Sequence, residues 1–274
     1  MTDDPAMVLE VLAALDARPR RERLVLLSDF DGTLAAFDVD PAAPHLSVDT
    51  RHILQALASR GNVTVGLISG RRMDDLDRRT GLSPQVYLAG LHGLEIRHGA
   101  LSWHHPELVE SRDLADAVAV ALEAAVGNVP GVRFEHKEVA VTVHVRGVEA
   151  ESRSEVLHAA RAAVRPWLDT GAFKQLDASA AIEFLPNIAW TKGDAVRWIV
   201  EDVEAHGNQP AWCVFFGDDV TDEDAFRAIS RGLAVVVGRR PSSARLRLGS
   251  PADVATVLRR VNGTAKRGTG HDLD

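Results

Sequence analysis

Ser28-Asp29-Phe30-Asp31-Gly32-Thr33-Leu34 follows directly on the apolar run Leu24-Val25-Leu26-Leu27. That run is short, partly β-branched and preceded by a basic stretch, which is how a buried strand reads. Side chains alternate along a strand, so Asp29 and Asp31 fall to one side and Phe30 to the other. Gly32 then lets the chain turn sharply. Two carboxylates therefore project together from a strand end. Like charges that close repel, and one stays protonated unless a cation lies between them. A hard divalent ion with oxygen ligands, magnesium first among them, meets that need. With such an ion in place, one carboxylate can be a nucleophile and its neighbour a proton donor.

Outward from this strand, the pattern is that of an α/β chain. An amphipathic helix over residues 6–17 and a basic connector, Arg18 to Arg23, precede it. After it come a Pro- and Asp-rich loop (38–47), a helix over 48–59, a strand over 63–68, a helix to about residue 80 and a strand over 86–89. That order implies a parallel sheet with right-handed crossovers. The rhythm then changes to helix, two strands, helix, two strands between residues 107 and 184, an inserted α+β module. In the strand over 139–145, Val139, Val141, Val143 and Val145 alternate with Ala140, Thr142 and His144. The α/β pattern resumes with a helix from Lys192, a strand over 212–216, a helix near 222–229, a strand over 233–237 and a last helix over 252–261. The expected division is 1–104 and 187–262 for the two parts of a core, 105–186 for the insert and 263–274 for a disordered tail.

Composition narrows the function classes. The chain has 274 residues, 46% of them apolar, enough for a real core and two lobes. Its 31 Lys and Arg against 39 Asp and Glu leave a net charge of −8, which argues against general affinity for nucleic acid or an anionic membrane. An anionic substrate would need a local positive site. The one cysteine, Cys213, sits in an apolar strand and reads as a core thiol. No disulfide framework is possible, and neither a signal peptide nor a membrane span is evident, so a cytoplasmic protein is expected. The Asn262-Gly263-Thr264 acceptor pattern reads as a chance match.

Ligands of open parallel sheets sit beyond the carboxyl ends of the strands. Four segments fall there: Asp29-Phe30-Asp31; Ser69-Gly70-Arg71, whose hydroxyl and N–H groups suit a phosphate; Lys192-Gly193, a cation at a helix start, where the dipole disfavours it; and Gly217-Asp218-Asp219 followed by Thr221-Asp222-Glu223-Asp224. Each has a plain structural alternative. The first acids could cap a turn, Ser69 could start a helix, Lys192 could be a surface lysine, and Thr221 to Asp224 could form a capping box. Their joint occurrence in this order around one insert favours a site.

The four segments resemble the motifs of the haloacid dehalogenase (HAD) superfamily: Asp29 to Leu34 the first, Ser69 the second, Lys192 the third, Gly217-Asp218 with Asp222 the fourth. The resemblance implies a HAD-like Rossmannoid core with a parallel sheet and an inserted α+β cap of the type IIB-like kind. A closer resemblance is to the trehalose-6-phosphate phosphatase family, through Gly90-Leu91-His92-Gly93-Leu94-Glu95, Lys137 with His144 and Arg146, Glu183-Phe184-Leu185-Pro186 before Lys192-Gly193, and Gly217 to Glu223. Leu185 stands where that family usually has arginine, and Thr191 where an acid is common.

That resemblance implies a hydrolase of trehalose biosynthesis. In it Asp29 attacks phosphorus to form an aspartyl phosphate, and Asp31 protonates the leaving oxygen and then takes a proton from water. Ser69 and Lys192 hold the phosphoryl oxygens. Mg2+ is held by Asp29, the carbonyl of Asp31 and Asp218, with Asp222 near the ion or its waters. Gly70, Arg71, His92, Gly93, Glu95, Lys137, His144, Arg146, Lys174 and Glu183 are the candidates for substrate contacts, with the insert acting as a lid. The implied partner is a small-molecule sugar phosphate bound by a monomer. His136 and the pair His104-His105 read as surface histidines. The rivals are phosphatases of sucrose 6-phosphate or mannosyl-phosphoglycerate, a phosphomutase, and a regulatory module on an inactive phosphatase scaffold.

Overall fold

The computed structural model describes residues 5–36, 45–136, 139–178 and 180–264. Lys137 and most of the loop read at 38–47 lie outside them, as does the tail from residue 265. The chain forms two compact units, one of Met1–Trp103 with Trp190–Asp274, the other of His104–Ala189.

In the first unit, helix α1 (Pro5–Asp16) leads into β1 (Arg23–Ser28), α2 (Val48–Ala58), β2 (Val63–Ile68), α3 (Met73–Thr80) and β3 (Tyr87–Gly90). A 3-10 turn over Leu91–Gly93 is followed by β4 (Glu95–His98) and β5 (Leu101–His104). In the second unit come α4 (Pro106–Val126), β6 (Arg133–His136), β7 (Val141–His144), a 3-10 turn over Ala150–Ser152, α5 (Arg153–Asp169), β8 (Phe173–Ala178) and β9 (Ala181–Pro186). The first unit resumes with α6 (Lys192–Gly207), β10 (Ala211–Gly217), α7 (Asp222–Ala228), β11 (Gly232–Val237), β12 (Leu246–Leu248) and α8 (Pro251–Thr264).

The first unit is an eight-stranded sheet in the order β12-β11-β10-β1-β2-β3-β4-β5. The six strands from β12 to β3 run parallel, and β4 pairs antiparallel to β3. Such a sheet must be covered on both faces. Alternation along β1 sends Leu24 and Leu26 into one apolar layer with residues of α1, α2, α3 and α8, while Val25 and Leu27 enter the other with α6 and α7. Each fully buried large side chain in these layers contributes roughly 2–3 kcal/mol. Cys213 lies buried in the second layer, and burial pushes its thiol up to about 12, so it is an inert core group. Three indoles, Trp103, Trp190 and Trp198, pack together where the chain leaves and rejoins this unit, with Trp103 at 5.2 Å from each of the others.

The second unit is an antiparallel sheet in the order β6-β7-β9-β8 with α4 and α5 on one face. Val141, Val143, Ile182, Phe184 and Phe173 form its buried side.

Three strands escape the periodicity reading. β4 and β5 are four residues each and carry Glu95, Arg97, His98, Ser102 and His104 among few β-branched residues; β12 has only three residues. Their pairing to an existing sheet edge makes them strands, and local pattern carries little of that. α8 continues through Gly263 and Thr264. His136 is exposed against Glu123, whereas His105 caps α4 by accepting from the Glu107 N–H.

No helix among the described residues is long and apolar enough to cross a membrane. Gly232 has φ 141°, and a β-carbon there would overlap the Cys213 carbonyl oxygen of the adjacent strand. Gly232→Ala is therefore expected to lower stability by about 3 kcal/mol, read as a drop in the urea unfolding midpoint with unchanged slope.

Candidate active site

Three neighbouring strands, β10, β1 and β2, each deliver one motif from the carboxyl end. The Asp29 N–H donates to the Phe216 carbonyl at 2.8 Å, so strand pairing carries on past β1 and sets Asp29 beside the end of β10. Asp29 is 5% exposed, and Phe30 points the opposite way into the core. The chain then turns back: the N–H groups of Leu34 and Ala35 both donate to the Phe30 carbonyl, and Gly32 takes φ 79°. That turn drives Thr33 inward to complete burial, where its hydroxyl donates to Asp218 Oδ1 at 2.9 Å.

From β10 the chain passes Asp218 and Asp219 into α7. Asp222 is wholly buried; its Oδ2 accepts from the Asp219 N–H at 2.9 Å. A β-carbon on Gly217 would overlap the Asp222 carboxyl, so glycine is what lets this acid fold back over the strand end. Thr221 makes no side-chain cap, which sets aside the capping-box alternative. Glu223 turns away to Arg240 and Ser243. Burial would raise its pKa, but the hydroxyl and N–H of Ser243, Ser242 and Arg240 together hold it at about 2.

Helix α6 brings the cation. Thr191 and Asp194 form a reciprocal capping box at its start, so threonine at this position serves as a helix cap. Lys192 in the first turn is 3% exposed, its Nζ 2.6 Å from Asp29 Oδ1 and 2.7 Å from Asp222 Oδ1. Burial would lower its pKa, yet Asp29 and Asp222 outweigh that and raise it, so the ammonium stays charged despite the helix dipole.

Asp29, Asp218 and Asp222 each offer one oxygen, all within 4.8 Å of one another, the one such group among the described residues. Burial, helped by Asp222 and Asp218 and opposed by Lys192, raises Asp29 to about 7. Burial with Asp222 and Asp219, opposed by the Thr33 hydroxyl and Lys192, raises Asp218 to about 6. One ammonium thus faces three carboxylates, and the surplus negative charge on an all-oxygen donor set fits a divalent cation.

Asp31, read beside Asp29 in the sequence, has a side-chain partner of its own. Its carboxylate is not in that group. It accepts two parallel bonds from Arg71, Nε to Oδ2 and Nη2 to Oδ1, both 2.7 Å. The acids grouped with Asp29 come from β10 and α7, while a guanidinium from the β2 end holds Asp31. Arg71, a candidate for substrate, also donates Nη1 to Asp75 at 2.8 Å and lies over the Phe30 ring at 5.8 Å.

Ser69 is buried, and its hydroxyl accepts from the Arg71 N–H at 3.2 Å. α3 starts only at Met73, so Ser69 is not a helix cap. Gly70 lies under the His92 ring, where a β-carbon would meet Cε1 at 2.8 Å. Leu91 and His92 have φ of 50° and 59°, and Gly93 at φ 96° leaves room for Ala195 of α6. Glu95 follows, 5% exposed at the start of β4. Gly70, His92 and Gly93 are thus one contiguous surface running to α6.

The second unit holds the remaining candidates. Directly paired residues share a face of an antiparallel sheet. The pairs Thr142 with Glu183, Glu183 with Leu176, and Lys174 with Leu185 put Glu183, Lys174, His144 and Leu185 on the face opposite the apolar one. His144 Nε2 is 3.0 Å from Glu135 Oε2, and Arg146 is exposed in the turn after β7. Lys137 lies outside the described residues. Sequence reasoning passed over Thr33 and Asp75; the second could have been noticed from its spacing of four from Arg71.

Comparison with known proteins adds the lineage. The family model described as Trehalose-phosphatase matches residues 27–251. A trehalose-phosphate phosphatase of Mycobacterium avium (strain 104) is 34% identical over 257 residues, covering 88% of this chain and 63% of that protein. The chain thus spans less than two thirds of that relative's length. A solved structure of Aspergillus fumigatus trehalose-6-phosphate phosphatase is 25% identical, with TM-score 0.66 over 95% of this chain and 98% of that one. The C-terminal domain of Candida albicans trehalose-6-phosphate phosphatase shares the fold at 23% identity, TM-score 0.68, over 94% of this chain and 96% of that one.

Two outcomes are expected from the site's chemistry. Thr33→Val removes the hydroxyl that orients Asp218, and titration calorimetry should show divalent-metal affinity falling about 10- to 100-fold. In the metal-free protein, folded Asp29 keeps its proton up to about pH 7 while the unfolded carboxyl loses it near 4, so this group favours the fold at low pH and that share is lost as pH rises to 7. Protons compete with the metal, so the rise in melting temperature on adding a divalent cation should be larger at about pH 8 than at about pH 5.5.

Proposed function

The chain belongs to the trehalose-phosphatase family, and from that premise we propose that it is a magnesium-dependent phosphatase that hydrolyses trehalose 6-phosphate to trehalose and phosphate. The observation that carries this reading is the buried Lys192 ammonium bridging Asp29 and Asp222, with Asp218 completing an oxygen cluster. A structural salt bridge needs one acid, whereas three acids and a lysine at strand ends are what phosphoryl transfer asks for.

Magnesium would be held by Asp29, Asp218, Asp222 and the backbone carbonyl of Asp31. It would supply charge neutralisation for the carboxylates and the phosphoryl oxygens. Asp29 attacks phosphorus and the P–O bond to the sugar breaks, its oxygen taking the proton of Asp31. Water then attacks the aspartyl phosphate, giving its proton to Asp31 and releasing phosphate with Asp29 restored. Lys192 steers the Asp29 carboxylate by holding Oδ1, and Lys192 and Ser69 are the donors for the phosphoryl oxygens. Gly70, His92, Gly93 and Arg71 border this place. Glu95 and Glu183 are assigned to sugar hydroxyls, since a carboxylate accepts from two neighbouring hydroxyls, with Lys137, His144, Arg146 and Lys174 as further polar contacts. Leu185, on the polar face of the second unit, has an apolar side chain that offers no hydrogen bond.

The test is phosphate release from trehalose 6-phosphate, sucrose 6-phosphate, mannosyl-phosphoglycerate and glucose phosphates, with and without a chelator. Trehalose 6-phosphate should lead by at least about 10-fold, chelation should abolish turnover, and Asp29→Asn should release no phosphate. A preference for another ester moves the substrate assignment. Cleavage of none, with magnesium present, leaves a regulatory module.

A further inference from the structure

We infer that Asp75 is a positioning residue for the reaction proposed above, acting through Arg71 to hold the Asp31 carboxylate in the orientation from which it takes the proton of the attacking water. The inference rests on the phosphatase reading. It comes from a chain of contacts lying wholly within the first unit.

The Arg71 fork meets both oxygens of Asp31 at 2.7 Å, a geometry that fixes the plane of the carboxylate as well as its place. Both oxygens of Asp31 accept from the same planar group, so neither can turn without losing a bond. The fork is itself held from the other side. Nη1 donates to Asp75 Oδ2 at 2.8 Å, and the guanidinium rests on the Phe30 ring. Without Asp75, rotation about the Cδ–Nε bond would carry Nη2 away from Asp31 while leaving Nε in place.

Asp75 is a firm anchor for physical reasons. It lies in the first turn of α3, where the helix dipole favours an acid. Arg79, one turn on and mostly buried, donates Nε to the same Oδ2 at 2.7 Å, and Arg78 reaches Oδ1 at 3.3 Å. Burial would raise the Asp75 pKa, but the bonds from Arg79 and Arg71 lower it, so the anchor stays charged. The line Asp31–Arg71–Asp75–Arg79 alternates in sign along its length, and each member fixes the next.

The experiment uses p-nitrophenyl phosphate, whose leaving group departs without an acid, followed by rapid mixing. In Asp75→Asn the first turnover should keep near the wild-type rate while later turnovers slow about 10- to 100-fold, giving a nitrophenol burst of one per active site and a trapped aspartyl phosphate. Asp75→Glu should recover part of the later rate. In an Asp31→Asn background, Asp75→Asn should add no further loss. Equal slowing of both phases, additive losses in the double variant, or unchanged steady turnover would each overturn the role given to Asp75 while leaving the phosphatase standing. If the wild-type protein itself cleaves the ester without labelling Asp29, or cleaves nothing, the phosphatase reading fails and this inference with it.

Discussion

The ammonium of Lys192, shared by Asp29 and Asp222 out of reach of water, is the interaction on which the rest of the core depends. A buried ion pair is costly to assemble and very unfavourable to leave half-made. It therefore fixes where α6 can begin, how far β1 must run before it turns, and how tightly α7 must fold over the end of β10. Each demand has a local answer. The Thr191–Asp194 box starts the helix, pairing of the Asp29 N–H with Phe216 extends the strand edge, and Gly217 gives Asp222 room.

Sheet order explains why these residues meet. β1 lies between β10 and β2, so residues 29, 218 and 69 become neighbours although long stretches of chain separate them. Parallel strands all present their carboxyl ends on the same edge, and the crossing helices supply what the strands lack, a cation from α6 and a buried acid from α7. The excess of acid over base at that edge fits a divalent cation.

Much of this was legible in the chain because it is written locally. The apolar run before Asp29, the glycine that ends β10, and a lysine placed against the dipole of its own helix are each visible within a few residues. What stayed hidden depends on partners far away. Asp31 looks like a twin of Asp29 by alternation, and Arg71, arriving from the end of β2, gives it different surroundings. Thr33 reads as a turn residue, yet its hydroxyl meets Asp218 across 185 positions. Glu95 to His104 lacks the composition of strands and becomes β4 and β5 through the edge it joins. Thr191, where the family usually carries an acid, keeps its helix start by capping in place of charge.

The three packed indoles of Trp103, Trp190 and Trp198 have a consequence for how such a chain is assembled. The first unit is interrupted, yet the points where the polypeptide departs and comes back are stapled to each other and to α6 by ring packing that belongs to that unit alone. For the core, the whole excursion is a closed loop, and closure entropy grows only slowly with loop length. A change in the length of the interposed segment would thus cost the core little, and Lys192, two residues beyond one of those indoles, would keep its address.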